Sequence, residues 1–216
     1  MRKVKNKNQY CTFYIVRHGE TEANVKGVLQ GQSDSPLTKA GKLQTKEASI
    51  KLSHIHFDEA FSSDLYRAKH TADLLLLGRK ISLKTSERLR ERGFGKHEGK
   101  SYKETVSELK NLWTQYERLS NEEKFKFKFR QEGESDEELA IRMITLIREL
   151  GVTYPSKTIL IVSHGGIMKA FLIHLGFGNY ETLQNVVIKN LAWVKLRCDG
   201  VDFFIEETQA IERIDR

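Results

Sequence analysis

Two histidines in this chain stand at equivalent places. Arg17-His18-Gly19 follows the apolar run Thr12–Val16, and Ser163-His164-Gly165 follows Thr158–Val162. Each run reads as a buried strand that delivers a histidine at its carboxyl end, with glycine and a helix-like segment after it. In open α/β sheets, ligands bind in the crevice beyond the strands' carboxyl ends. The two imidazoles can therefore face one pocket. A neutral imidazole is a nucleophile toward phosphorus. Arginines beside it favour the neutral form and can fork onto equatorial phosphoryl oxygens. Phosphoryl transfer is mostly positioning and charge stabilisation, so this is suitable equipment.

Other positions join them. Phe61-Ser62-Ser63-Asp64-Leu65-Tyr66-Arg67 puts Arg67 in the first turn of a helix after a second strand, where helix N-termini bind anions. Glu91 sits among Arg88, Arg90 and Arg92 in a loop after a third strand. A carboxyl group there can protonate a leaving oxygen, then accept a proton from the attacking water. Each residue also has a plain reading. His18 alone is a packed histidine at a capped strand end, Arg67 alone a surface arginine, and Glu91 alone one member of an ion-pair cluster. The combination favours chemistry.

Alternating strands and helices must position these groups. Strands are expected at Thr12–Val16, Phe57–Ser62, Ile81–Thr85 and Thr158–Val162. Helices are expected from Thr38 towards Ser53, over Asp64–Leu77, Ser101–Leu119, Ser135 to about Leu150, and Gly165–Leu175. Thr38 can serve as an N-cap. Ser101 with Glu104 and Ser135 with Glu138 read as capping boxes. A hairpin around Asp199-Gly200 joins Ala192–Cys198 to Val201–Ile205. The pattern predicts an α/β fold: a three-layer α-β-α sandwich with a mostly parallel central sheet. Residues from about 98 to 155 are expected to form a helical lid over the crevice.

The chain has 216 residues and a formal net charge of +7, with 39% hydrophobic and 30% charged residues. That fits one domain over residues 11–216, preceded by a basic, disordered tail at 1–10. A domain this long buries roughly 70% of the surface its unfolded chain exposes. The positive charge points to anionic partners. Two cysteines, Cys11 and Cys198, make no disulfide framework and read as buried apolar residues of a reducing compartment. No stretch approaches the ~18 apolar residues of a membrane span, and Tyr10–Val16 is too short for a signal peptide's apolar region. A cytoplasmic protein is expected, with no membrane or nucleic-acid partner, as monomer or homodimer.

Taken together and in this order, Arg17-His18-Gly19, Arg67 after Ser62-Ser63, Glu91-Arg92-Gly93-Phe94-Gly95 and His164-Gly165 resemble the histidine phosphatase superfamily, with its phosphoglycerate-mutase-like fold. The resemblance spans about residues 12 to 198. It implies a hydrolase of the histidine acid phosphatase type that acts on a phosphoric monoester of a small metabolite. His18 would carry a transient phosphohistidine intermediate. Arg17, Arg67 and His164 would complete the phosphate pocket, and Glu91 would be the proton donor. Asn24 and Gly165 would contact substrate, and Gln30 and Gly31 belong to a loop that closes over it. No metal or organic cofactor is implied. Gln30-Gly31-Gln32, Pro36-Leu37-Thr38, Phe61–Arg67 and Leu89–Gly99 are similar to the phosphatase branch, including TIGAR-like fructose-bisphosphatases, which makes a sugar bisphosphate a candidate substrate. Related phosphatases carry Pro-Gly-Gly-Glu-Ser where this chain has Gln131-Glu132-Gly133-Glu134-Ser135, so no substrate contact is carried over from that loop. Two alternatives stay open: a phosphoglycerate mutase, and a non-catalytic pseudophosphatase that binds a phosphoryl ligand. The interval from Glu91 to His164 is short for a mutase lid.

Other features carry less. Gly99-Lys100-Ser101 resembles the end of a P-loop, but Phe94 stands where its first glycine must be. His54, His56 and His97 lack the companions of a zinc site and read as exposed loop histidines. Lys124–Arg130 alternates basic and aromatic residues, and a strand would put its phenylalanines on one face. It reads as a lid segment docking its phenylalanines, as lysines attracting a polyanionic substrate, or as a nucleic-acid or membrane patch. Trp113 and Tyr116, on the lid helix stripe, read as core rather than ligand contacts.

Overall fold

The computed structural model describes residues 9–129, 133–183 and 186–213. The expected tail thus lies almost wholly outside the described residues, as does Arg130. Six strands form one sheet: β1 (Cys11–Arg17), β2 (Glu59–Ser62), β3 (Leu83–Thr85), β4 (Thr158–Ser163), β5 (Val186–Cys198) and β6 (Phe203–Arg213). Their order is β3-β2-β4-β1-β5-β6. The first four run parallel, and β5 and β6 are antiparallel additions at one edge.

The apolar runs of β1 and β4 fold this way because both faces are covered. Side chains alternate across a strand. Cys11, Phe13 and Ile15 of β1, with Ile159 and Ile161 of β4, enter one core cluster. Tyr14 and Val16, with Leu160 and Val162, enter the other. Nine helices among the described residues flank the sheet or stand off it: α1 (Glu22–Val25), α2 (Lys39–Lys51), α3 (Tyr66–Leu75), α4 (Tyr102–Glu108), α5 (Lys110–Glu117), α6 (Asn121–Lys126), α7 (Asp136–Thr153), α8 (Gly165–His174) and α9 (Tyr180–Leu183). Ala68, Ala72 and Leu75 of α3 seal the second cluster, with Leu52 beside α2. Leu139, Met143 and Ile147 of α7 and Ile167 and Phe171 of α8 seal the first. The three-layer α/β architecture is the one the sequence predicts.

The helix starts follow their caps. Thr38 accepts from the Gly41 N–H, and Ser101 and Ser135 close reciprocal capping boxes. Cys11 and Cys198 are free, buried thiols on facing positions of β1 and β5. No helix among the described residues is long and apolar enough to cross a membrane.

Four details differ from expectation. The helix over Ser101–Leu119 breaks at Leu109, whose backbone leaves helical geometry. The break turns Trp113 and Tyr116 onto Phe129, with ring centroids 4.6 and 5.0 Å away. The Lys124–Phe129 run is no strand: α6 extends to Lys126 from a capping box of Ser120 and Glu123. Within the expected 98–155 segment, α7 is built into the core, so only α4 to α6 stand clear of the sheet. His97 is not exposed. It is 2% accessible and its Nε2 lies 2.9 Å from a Glu108 carboxylate oxygen.

Candidate active site

The β1–β4 register builds the site. Arg17 pairs with Ser163 as the last rung, so the next residues, His18 and His164, leave the sheet side by side. The His18 N–H donates to the Ser163 carbonyl at 2.9 Å. The two imidazole centroids lie 5.1 Å apart. Both side chains are buried, at 3% and 0% accessibility.

Their tautomers follow from their partners. His18 Nδ1 lies 2.8 Å from the Gly19 carbonyl, which can only accept. The proton therefore sits on Nδ1 and the lone pair on Nε2. His164 is the reverse. Arg67 Nε donates to its Nδ1 at 3.2 Å, which leaves the His164 proton on Nε2. That N–H is buried and has no protein partner, as is Arg17 Nε. Burial, then Arg17 and Arg67, holds His18 well below its ordinary value of 6.5. Burial, then Arg67, His18 and Arg17, does the same to His164. An acceptor lone pair and two unsatisfied donors thus belong to side chains at the ends of β1 and β4.

Arg67, 1% accessible, is far from a surface arginine. Besides His164 it donates from Nη1 to the Ser33 carbonyl and from Nη2 to the Gly31 carbonyl, both at 2.6 Å. It thereby ties the Gln30–Asp34 loop to the pocket. Asp34 answers by accepting the Tyr66 and Arg67 N–H groups at the start of α3. Gly31 has φ +56°, and a Cβ there would fall 2.2 Å from Glu98 Oε1. Gln30 is buried, with its Oε1 unpartnered.

Glu91 is not a member of an ion-pair cluster. Its neighbours pair elsewhere: Arg88 with Glu149, Arg90 with Asp64, and Arg92 with Asp136. Glu91 instead caps α8. Oε2 accepts the Gly166 N–H at 2.8 Å, while Oε1 accepts Ile167 N–H at 3.1 Å and Arg92 N–H at 2.8 Å. Of the roughly four lone-pair sites of a carboxylate, one on Oε2 stays open. Gly166 permits the approach, since a Cβ there would lie 2.4 Å from Glu91 Oε1. Gly165 packs on Arg17, its would-be Cβ 3.3 Å from Nε.

Asn24 is joined to the carboxyl end of β1 through Asn190. Its Oδ1 is committed to the Thr21 N–H at 3.1 Å and to Asn190 Nδ2 at 3.3 Å, so only its Nδ2 could serve a ligand. Asn190 was not signalled by the sequence. Its Nδ2 also donates to the His18 carbonyl at 2.9 Å, and Ile188 O accepts from Arg17 Nη1 at 2.5 Å. Both contacts come from a bulged stretch of β5 between Ile188 and Trp193, where Leu191 has φ +61°. Arg142 is a second unsignalled brace: it donates to the Arg88 and Glu91 carbonyls and to Glu134.

Beside Gly166 opens a cavity of about 540 Å³. Trp113 and Tyr116, packed on each other and on Phe129, also help to line it. Among the described residues no group of three or more His, Cys, Asp or Glu side chains could hold a metal ion.

Residues 13–210 match the histidine phosphatase superfamily (branch 1). The chain is 32% identical over 192 residues to an adenosylcobalamin/alpha-ribazole phosphatase of Salmonella typhimurium, covering 87% of this chain and 91% of that protein. It is 45% identical over 101 residues to fructose-2,6-bisphosphatase TIGAR of Xenopus laevis, covering 44% of this chain and 35% of that protein. The crystal structure of a phosphoglycerate mutase from Bacillus anthracis shares the fold, with TM-score 0.77 at 23% identity, over 95% of each chain.

Proposed function

The chain belongs to the histidine phosphatase superfamily, and on that footing we propose that it hydrolyses a phosphomonoester of a small metabolite through a phosphohistidine on His18. The observation that carries the reading is the pair of imidazoles 5.1 Å apart with opposite tautomers. One offers a lone pair and the other an N–H.

His18 Nε2 attacks phosphorus in line, and the bond from phosphorus to the ester oxygen breaks. His164 Nε2–H and Arg17 Nε–H, buried and otherwise unpartnered, bond the phosphoryl oxygens as charge builds on them. Arg67 positions His164 through Nε and adds positive charge. Glu91 gives the proton held at the open site of Oε2 to the departing alkoxide. Water then attacks the phosphohistidine, returns a proton to Glu91, and releases phosphate. Asn24, through Nδ2, and the Gln30-Gly31 loop are assigned to the substrate side, with Gly165 admitting Arg17 to the pocket floor. The residues standing clear of the sheet in α4 to α6 act as the lid of a single catalytic domain.

The histidine acid phosphatase type of chemistry is supported by a nucleophile held well below 6.5, which stays neutral in mild acid. Free buried thiols at Cys11 and Cys198 favour a reducing, cytoplasmic setting. The test is a phosphate-release screen over phosphorylated metabolites without added metal. Metal-independent release that is abolished in His18→Ala supports the reading. Isomerisation of a phosphoglycerate without net phosphate release favours the mutase instead. Tight phosphoryl-ligand binding without turnover favours the pseudophosphatase.

A further inference from the structure

A cavity of about 540 Å³ opens beside Gly166. Its wall reaches the residue whose N–H holds Glu91, so it lies on the proton-donor side of the site. Phe94, Trp113, Tyr116, Phe127 and Phe129 present aromatic rings to it. Four of them form one cluster: Phe127 and Phe129 sit 5.0 Å apart, Tyr116 and Phe127 5.5 Å, and Trp113 and Tyr116 5.6 Å. The basic-aromatic run therefore spends two of its three phenylalanines on this wall.

The charges around the cavity cancel. Arg92, Lys124 and Lys169 face Glu117, Glu134 and Asp136. Arg92 is paired with Asp136, which also accepts the Tyr180 hydroxyl. Arg142 holds Glu134 at 2.8 Å. Lys124 lies over the Tyr116 ring, 5.6 Å from its centroid. The other lysines of the run turn to Glu122 and Glu138. A second phosphate in this cavity would meet the carboxylates of Glu117, Glu134 and Asp136 beside its cations, and Arg92 could turn to it only by leaving a partly buried ion pair, which is costly. A flat apolar group meets no such cost and stacks on the rings.

We propose that the physiological substrate is a phosphomonoester whose alcohol carries an aromatic or comparably flat apolar group, seated against Trp113, Tyr116, Phe127 and Phe129, rather than a second phosphate. This inference rests on the phosphomonoesterase reading for the ester, while the cavity itself can be tested without chemistry.

Binding of 3-phenylpropylphosphonate and propylphosphonate is measured by calorimetry. Burial of the ring predicts about tenfold or tighter Kd for the phenyl compound, and Trp113→Leu or Phe129→Ala shrinks that ratio towards one. In parallel, kcat/KM is measured for the matching phosphate esters, whose alcohols are of similar acidity, and for fructose 1,6-bisphosphate. The phenyl ester is expected to lead both others. Equal Kd values for the two phosphonates, a ratio that neither substitution lowers, or a lead for the bisphosphate overturns the inference. A binding preference that is intact in a protein without turnover on any ester supports the aromatic pocket and overturns the phosphomonoesterase reading instead.

Discussion

As the proposed nucleophile, His18 would attack only as a neutral imidazole, so its environment sets where the reaction would survive in acid. Burial, Arg17 and Arg67 hold it well below 6.5, and His164 likewise. In an unfolded chain both titrate at their ordinary value. Falling pH therefore loads protons onto the unfolded state first. The stability these two groups contribute is complete above about 6.5 and is lost progressively as pH falls towards their folded values. Two outcomes are expected. The acid limb of the kcat/KM profile should lie well below 6.5, and denaturant midpoints should decline through that same range. A kinetic limb at the ordinary histidine value would contradict the assignment of His18. Glu91 makes a second residue-scale prediction. If it protonates the leaving alkoxide, Glu91→Gln should slow alkyl phosphates by about 10²-fold or more. p-Nitrophenyl phosphate, whose leaving group needs no proton, should be slowed far less. An equal loss for both would reduce Glu91 to the cap of α8.

At the scale of elements, what the sequence could reveal depended on whether a residue sat on a regular element. His18, His164 and Arg67 were legible because each follows a marked strand or opens a marked helix. Glu91 was legible as a carboxyl group in the right loop, although its arginine neighbours suggested partners it does not use. Asp34, Arg142 and Asn190 were not legible. They act through backbone groups distant in sequence, and no periodicity marks such contacts. The β5 bulge is the clearest case. Lys189-Asn190 interrupts the apolar alternation, which hid the first half of the strand. Yet the interruption is what brings Asn190 to the His18 carbonyl and Ile188 O to Arg17. Backbone strain of this kind, here Leu191 at φ +61°, gathers at functional sites. Asn190→Ala should lower kcat by about tenfold, the worth of one buried hydrogen bond. Asn190→Asp should not rescue it, because a carboxylate cannot donate to the carbonyl. A rate unchanged in the alanine variant would make the bulge a matter of sheet geometry alone.

On the scale of the whole molecule, the sheet is a registration device. Its two covered faces fix β1 and β4 so that one rung, Arg17 with Ser163, sets both histidines. The flanking helices deliver the rest: α3 presents Arg67, and α8 holds Glu91 by its first N–H groups. The aromatic wall contributed by α5 and the segment after α6 lies outside this frame. The three-layer fold was readable from the alternation of elements. The break at Leu109 was not, since no glycine or proline marks it within Ser101–Leu119. The proposed chemistry requires His18 to become covalently phosphorylated. Rapid quench of the enzyme turning over a phosphomonoester, followed by peptide mapping under conditions that preserve phosphohistidine, tests it most directly. A phosphoryl group on His18, formed at least as fast as turnover and absent from His18→Ala, is the predicted result. Sustained turnover with no phosphoryl-enzyme, or a label on His164 in place of His18, would contradict it.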